Sequence, residues 1–182
     1  ELARYLEATG GAAAAAAEQT TYTRATVKAF GFEGRIETWS ARPDRHYSRT
    51  ELGPFKLSEG SDGATSWRTD PTTGRIVRLA DRDLDEARVS TWFEGERWSE
   101  PDQGGGRVTV SGHETDSLGT YTVLAVDAPG AEGMKPRRLW FDDRTGLLAR
   151  MEAPHDQAWV VTTLGDWRRA SGRLRPFLSV TS

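Results

Sequence analysis

The chain has 182 residues, no cysteine, and 24 lysine and arginine residues against 27 aspartate and glutamate residues, which gives a net charge of −3. This length favours a single domain, residues 1–182. The near balance of charge provides no basic field for nucleic acid, so we expect no nucleic-acid partner. The absence of cysteine excludes disulfide bonds, zinc-thiolate sites and a cysteine nucleophile. No apolar run approaches the ~20 residues of a transmembrane helix, so no transmembrane segment is predicted.

The first 19 residues predict a helix that is broken at Gly10 and Gly11. From Thr20 the apolar period changes to two, which is typical of strands. Turn residues such as Gly53-Pro54 and Asp62-Gly63 separate the strand candidates, and residues 137–152 form the clearest hairpin. About ten or eleven strands are predicted in all.

One further helix is predicted between the strands, over residues 83–93, where Asp83 and Glu86 have the spacing of a capping box. Residues 101–106 are polar and glycine-rich and predict a mobile loop. Helices and strands do not alternate as in βαβ units. The order therefore predicts an antiparallel sheet and an α+β fold.

Residues that would carry catalysis or hold a metal do not occur in the required patterns. No G-x-S-x-G is present, and His46, His113 and His155 lie outside metal-ligand spacings. An acidic cluster at residues 81–86 is explained by the start of the helix, with an acid/base or calcium role as the minor alternative. Gly104-Gly105-Gly106 lacks the residues of a phosphate-binding loop. We therefore predict no enzyme activity, no cofactor and no metal.

Tryptophan is the unusual component of the sequence, with seven residues, most of them in predicted strands. Large rings on strands normally pack in a core. If they outnumber what two helices can cover, an apolar concavity remains, and such concavities bind hydrophobic ligands. Both interpretations stay open from composition alone. The tryptophans lie at positions 39, 67, 92, 98, 140, 159 and 167.

Three motifs then occur in a familiar order. Residues 38–45 read TWSARPDR, residues 61–67 read SDGATSW and residues 139–147 read LWFDDRTGL. After the N-terminal helix, this order resembles that of the LolA/LolB-like superfamily of bacterial outer-membrane lipoprotein-sorting proteins. The resemblance covers most of the chain.

The resemblance implies a strongly curved antiparallel sheet, a half-barrel whose concave apolar face is covered by helices. It implies a non-catalytic carrier or sensor in the periplasm or otherwise exported, which binds a lipid, a lipoprotein acyl chain or another hydrophobic molecule. The arginine before the turn proline, here Arg42, would fasten the helical lid, and residues 83–93 would be part of that lid. The ligand-binding residues expected on this basis are Trp39, Arg42, Phe55, Leu57, Trp67, Trp92, Phe93, Leu139 and Phe141.

The sequence is also similar to N-terminal domains that precede a retropepsin-like aspartic protease domain in exported bacterial proteins. Such a domain is itself non-catalytic, and this chain has no Asp-Thr-Gly or Asp-Ser-Gly. Since the chain begins at Glu1, we expect a leader or a neighbouring domain before it. The alternative function is thus an accessory domain that binds a protein partner or a neighbouring domain and fills its cavity with its own side chains. An enzyme with an unrecognised site is a third, minor alternative.

Overall fold

The computed structural model describes residues 1–155 and 157–182. These residues form two compact units. The discontinuous unit consists of Glu1–Ala17 and Arg97–Ser182, and the continuous unit is Glu18–Glu96. Each unit contains one six-stranded sheet in which every strand pairs with its sequence neighbours.

The elements follow the predicted order. The chain begins with two short helices, α1 (Leu2–Thr9) and α2 (Ala12–Ala17). The continuous unit then contains β1 (Thr20–Ala29), β2 (Phe32–Ala41), β3 (Arg45–Leu52), β4 (Phe55–Asp62), β5 (Ser66–Thr69), β6 (Ile76–Arg78) and α3 (Asp81–Glu94). The second sheet contains β7 (Arg107–Thr115), β8 (Thr120–Asp127), β9 (Arg137–Asp142), β10 (Leu148–His155), β11 (Ala158–Ala170) and β12 (Arg173–Thr181).

The α+β class and the antiparallel pairing are confirmed, but the strands are more numerous than predicted. The described residues form twelve strands in two sheets, whereas about ten or eleven strands in one sheet were expected. The two sheets are connected between β6 and β7 by α3 and two 3-10 turns, Arg97–Ser99 and Gln103–Gly105. The second of these turns occupies the segment that was predicted to be a loop.

The predicted helix over residues 83–93 is confirmed as α3, although its start differs in detail. Ala80 occupies the N-cap position, and no side chain caps the helix there. The predicted capping box of Asp83 and Glu86 is therefore wrong. Asp83 instead forms an ion pair with Arg68 on β5 at 2.8 Å, and Glu86 pairs with Arg82 at 2.8 Å. Acidic residues in the first turn still interact favourably with the helix dipole.

The core of the discontinuous unit is formed by α1 against its sheet. The Tyr5 ring lies 5.1 Å from that of Trp98 and 5.5 Å from that of Phe141, measured between centroids. Arg173 is buried and donates to the Thr9 hydroxyl at 3.5 Å, which ties β12 to the end of α1. Burial of aromatic rings on this scale contributes most of the packing energy of a small unit.

The two faces of the continuous sheet differ in character. Cross-strand pairing aligns four aromatic residues in one row on the same face, which we call the aromatic face; they are Tyr22, Trp39, Tyr47 and Trp67. The opposite face carries His46, Ser48, Thr50, Leu57 and Arg68, and we call it the cavity face. Helix α3 packs on the cavity face, because its Thr91 meets His46 and its Asp83 meets Arg68.

Candidate functional site

The continuous unit contains a cavity of about 400 Å³ on its cavity face. It lies over the middle of β3 and β4 and extends to β5 and the turn that follows. Its walls combine hydroxyl groups and one charge of each sign with hydrocarbon, which forms most of the exposed lining. The lining residues are Ser48, Thr50, Leu57, Ser58, Glu59, Arg68, Thr69 and Pro71.

Small side chains on β3 leave room for this cavity. Ser48 and Thr50 point to the cavity face, whereas Tyr47, Arg49 and Glu51 alternate with them and point to the aromatic face. In the middle of this strand, over residues 47–51, the larger side chains are therefore all on the other face. The cavity follows from the unequal side-chain volumes on the two faces of one strand.

The cavity face becomes apolar toward the ends of the β1–β2 and β3–β4 hairpins. Phe32, Phe55 and Leu57 are exposed there to 41%, 45% and 36%. The Phe32 and Phe55 rings meet edge to face, 6.2 Å apart between centroids. A group of exposed apolar side chains on one face is informative, because single exposed apolar residues are common but grouped ones mark binding surfaces.

The other side of the cavity is polar. Glu59 and Arg68 lie directly opposite each other on β4 and β5. Arg68 also reaches Asp83 of α3 at 2.8 Å, so its guanidinium joins the sheet to the helix. The Ser58 and Thr69 hydroxyls, 3.0 Å apart, form a hydrogen bond on the opposite face of the sheet, so these two residues line the cavity without directing their hydroxyls into it. Glu59 and Arg68 can orient a polar ligand group at one end of the cavity.

Arg42 connects the end of β2 to the end of α3. Its Nε donates to the carbonyl of Glu18 at 3.1 Å, and its Nη2 donates to the carbonyl of Gly95 at 3.4 Å. Gly95 is the residue that ends α3. The helix buries Trp92 and Phe93, whose rings meet edge to face at 4.9 Å. Arg42 thus bonds to the residue that ends this helix.

His46 lies under α3 on the cavity face. Its Nδ1 is 3.2 Å from the Thr91 hydroxyl. Burial lowers the pKa of His46, and the charge of Glu59 opposes that effect. The imidazole is therefore neutral at neutral pH and acts as a hydrogen-bonding partner of the helix rather than as a cation.

The structure does not bring the predicted ligand-binding residues together in one site. Leu57 lines the cavity, and Phe55 lies beside it on the same face. Trp39 and Trp67 point to the aromatic face, because they occupy the alternate positions of β2 and β5. This placement differs from the predicted one, in which these rings line the concave face.

Leu139 and Phe141 also differ from the expectation of a ligand contact. They lie in β9 of the discontinuous unit and have no exposed surface. Phe141 is enclosed by Tyr5 and Trp98, whose rings lie within 5.8 Å of it. Both residues belong to the packed core of that unit.

Sequence reasoning missed the polar lining of the cavity, namely Ser48, Thr50, Glu59 and Arg68. The signal was present in β3, where small and large side chains alternate over residues 47–51. In the described part of the chain, no group of three or more His, Cys, Asp or Glu residues is placed to hold a metal ion. No helix among the described residues is long and apolar enough to cross a membrane.

Comparison with known proteins shows the fold. No protein-family model and no curated protein matches the chain. A solved outer membrane lipoprotein-sorting protein domain from Vibrio parahaemolyticus is 14% identical, with a TM-score of 0.56 over 100% of this chain and 86% of that one. A LolA superfamily protein from Nitrosomonas europaea is 13% identical, with a TM-score of 0.55 over 89% of this chain and 74% of that one. A DUF1329 family protein from Desulfovibrio piger is 14% identical, with a TM-score of 0.52 over 89% and 80% of the two chains. The chain therefore has a LolA-like fold.

Proposed function

We propose that the protein is a non-catalytic carrier or sensor that binds an amphiphile, such as a lipid or a lipoprotein acyl chain, on the cavity face of its continuous unit. The observation that carries this proposal is the cavity of about 400 Å³ that opens beside three exposed apolar side chains. Ligand sites are typically ~300–1,000 Å³ and combine apolar walls with a few placed polar groups. The cavity meets both conditions.

The distribution of polar and apolar groups fits a molecule with one polar end. Hydrocarbon would lie along Leu57, Phe55 and Phe32, where burial of apolar surface contributes about 25 cal/mol per Å². Hydroxyl or charged groups of the ligand would meet Arg68, Glu59 and the Ser48 hydroxyl. Two proteins of similar fold are a LolA superfamily protein and an outer membrane lipoprotein-sorting protein domain, which supports a periplasmic or otherwise exported carrier.

A second candidate function is supported by the discontinuous unit. Its predicted cavity residues Leu139 and Phe141 are fully buried, and Phe141 is enclosed by the protein's own Tyr5 and Trp98. A unit filled in this way fits an accessory domain that binds a protein partner, including one next to an aspartic protease domain. This candidate predicts that no apolar ligand binds to the cavity face.

A fluorescent long-chain fatty acid, 11-(dansylamino)undecanoic acid, tests the carrier function by titration. We expect saturable binding with micromolar or tighter affinity to the wild-type protein. Thr50→Phe places a ring in the cavity and should weaken binding about tenfold or more, because the ring occupies volume that the ligand needs. Native mass spectrometry of the purified protein should show a bound apolar species.

The matched control is Thr26→Phe. Thr26 is an exposed threonine of the same sheet that points to the aromatic face, opposite Arg35. This variant should bind the probe as the wild type does. Absence of saturable binding to the wild type would reject the carrier function in favour of the accessory domain. Equal weakening by both variants would reject the cavity as the binding site.

A further inference from the structure

The aromatic face carries one row of rings that runs across most of the sheet. Tyr22, Trp39 and Tyr47 lie opposite one another on β1, β2 and β3. Gly60 takes the next position on β4, and Trp67 follows on β5. A Cβ at Gly60 would approach the Trp67 ring to 2.8 Å, so this indole lies over β4. Four rings thus form one apolar stripe with no gap at β4.

The stripe is open to solvent. Tyr22, Trp39 and Tyr47 are exposed to 54%, 38% and 36%. Neither Trp39 nor Trp67 uses its indole N–H in a hydrogen bond to the part of the chain that the structure describes. Cross-strand aromatic pairs stabilise a sheet, but stabilisation alone requires no exposed surface. A row of this length on a solvent-facing side is therefore a candidate binding surface.

The orientation of the rings restricts what the stripe can bind. Neighbouring rings are 5.1 to 5.9 Å apart between centroids, with interplanar angles of 27° to 37°. Tyr22, Trp39 and Tyr47 stand on adjacent strands ~4.8 Å apart, so their flat ring faces are turned toward one another and their edges point outward, whereas the Trp67 indole leans across β4 to reach Tyr47. A nucleic-acid base stacks on a free ring face, and such faces are not offered between these rings. Tryptophan and tyrosine at a membrane interface do not need a free ring face, since they bind there through an apolar body and a polar tip.

Arginine side chains border the stripe on both sides. Arg24 and Arg49 lie in the cross-strand row next to the aromatic row on one side, and Arg45 lies in the row next to it on the other side. Arg78 is the last residue of the aromatic row itself, on β6. These positions also contain two carboxylates, Glu37 and Asp62.

The carboxylate of Glu37 offsets the charge of Arg49, its ion-pair partner, but forms no ion pair with Arg24. It is only 7% exposed, and it is bonded to Arg49 and to the Tyr22 hydroxyl. Arg24 is exposed and forms no ion pair with the described residues. By register, strands β1 to β6 place seven basic side chains on the aromatic face against four carboxylates, so this face presents positive charge although the whole chain has a net charge of −3. The basic residues are Arg24, Lys28, Arg35, Arg45, Arg49, Lys56 and Arg78, and the acidic ones are Glu33, Glu37, Glu51 and Asp62. This local charge is complementary to an anionic surface.

We propose that the aromatic face docks on an anionic lipid bilayer, with the ring edges at headgroup depth and the bordering arginines near lipid phosphates. This surface is separate from the ligand cavity, which lies on the opposite face of the same sheet. The docked protein would keep its cavity face directed away from the lipid. The proposal does not depend on the identity of the cavity ligand.

Co-sedimentation with sucrose-loaded vesicles tests the proposal. The wild-type protein should bind vesicles of phosphatidylglycerol and phosphatidylcholine in equal parts, not phosphatidylcholine alone, and binding should fall as salt is raised. Arg24→Glu should weaken binding at least fivefold, since each basic residue near an anionic surface contributes about fivefold and the substitution also adds a negative charge. Arg144→Glu is the control, because it changes the net charge equally at an exposed hairpin turn of the other unit.

A second measurement uses the unaltered protein. Tryptophan fluorescence should be quenched when the phosphatidylglycerol carries brominated acyl chains, because Trp39 and Trp67 would lie at the interface. Equal weakening by Arg24→Glu and Arg144→Glu, or the absence of such quenching, would overturn the proposal. Binding to an anionic polysaccharide such as heparin without binding to the vesicles would also overturn it. Arg78→Glu is a second variant that should also weaken vesicle binding, and circular dichroism should show that both variants remain folded.

Discussion

The Arg49 guanidinium donates to the Glu37 carboxylate at 2.5 Å from the directly opposite position on the neighbouring strand. Arg35, two residues before Glu37, approaches the same carboxylate at 3.6 Å. The pKa of Glu37 lies below its usual range because Arg49, and then the Tyr22 hydroxyl, donate hydrogen bonds to the charged form. The same bond raises the pKa of the Tyr22 phenol.

Acid should therefore destabilise the continuous unit through Glu37. A carboxyl whose pKa is lowered by folding contributes stability above its unfolded value of about 4.3, and this contribution is lost as the pH falls through the folded value. We expect the melting temperature of Glu37→Gln to fall less between pH 6 and pH 3 than that of the wild type, as measured by circular dichroism. Glu33→Gln, which removes an exposed carboxylate of the same strand, should change this slope less. A wild-type slope in Glu37→Gln would contradict the argument.

The second sheet repeats this arrangement. Arg138 lies opposite Glu152 on the neighbouring strand and approaches its carboxylate at 2.5 Å. Arg150, two residues before Glu152, approaches it at 3.5 Å. The Arg150 guanidinium lies 3.4 Å from the centroid of the Trp140 ring. Each unit thus places an arginine, a glutamate and a cross-strand arginine against aromatic rings on its sheet.

Glu152 is the member of this network whose removal should cost most. It is 6% exposed, so replacing it leaves two guanidinium groups without their carboxylate in a partly desolvated site. We expect Glu152→Gln to lower the free energy of unfolding by about 2 kcal/mol in guanidinium chloride titrations. Asp127→Asn, which breaks the exposed pair with Arg107, should cost less than about 1 kcal/mol. Similar losses in both variants would show that burial does not strengthen the Glu152 network.

Arg42→Leu should loosen the end of α3. The substitution removes the bond to the Gly95 carbonyl, and a hydrogen bond of about 1 kcal/mol corresponds to about fivefold in local opening. We therefore expect about fivefold faster amide hydrogen exchange over residues 83–93. Arg45→Leu, a nearby exposed arginine at the start of β3, is the control. Unchanged protection of the helix in Arg42→Leu would remove Arg42 from the role of fastening it.

His46 should make the attachment of α3 sensitive to mild acid. Since burial lowers its pKa, the unfolded chain binds the proton more readily than the folded one. The resulting stability is present above about pH 6.5 and is lost as the pH falls below that value. We expect the wild type to lose more stability than His46→Gln between pH 7.5 and pH 5.5 in urea titrations. His155→Gln is the control, and an imidazole NMR titration midpoint above 6.5 for His46 would contradict the prediction.

The fold could be predicted because strand alternation and turn residues are local signals. The hairpin predicted over residues 137–152 corresponds to β9 and β10, and the turn predicted at Gly53-Pro54 separates β3 from β4. The helix α3 was also recognised to within two residues at each end. Such features depend on side-chain period and on glycine or proline positions, which the sequence displays directly.

The site was harder to predict because alternation does not say which face of a strand is covered. The tryptophans were expected to point inward because they are large and apolar. Trp39, however, shares its face with Arg35 and Glu37, two residues apart along β2. Ionised neighbours on the same face indicate a solvent-facing side. Attention to this shared face would have placed Trp39 on the aromatic face from the sequence alone.

The close approach of the Trp67 ring to Gly60 makes these two positions interdependent in evolution. A side chain at position 60 would collide with the indole, since even a Cβ would lie 2.8 Å from it. A smaller residue at position 67 would leave an uncovered stretch of β4 backbone that a side chain at position 60 could fill. Homologues with a side chain at position 60 are therefore expected to carry a residue smaller than tryptophan at position 67. The residues at these two positions should covary.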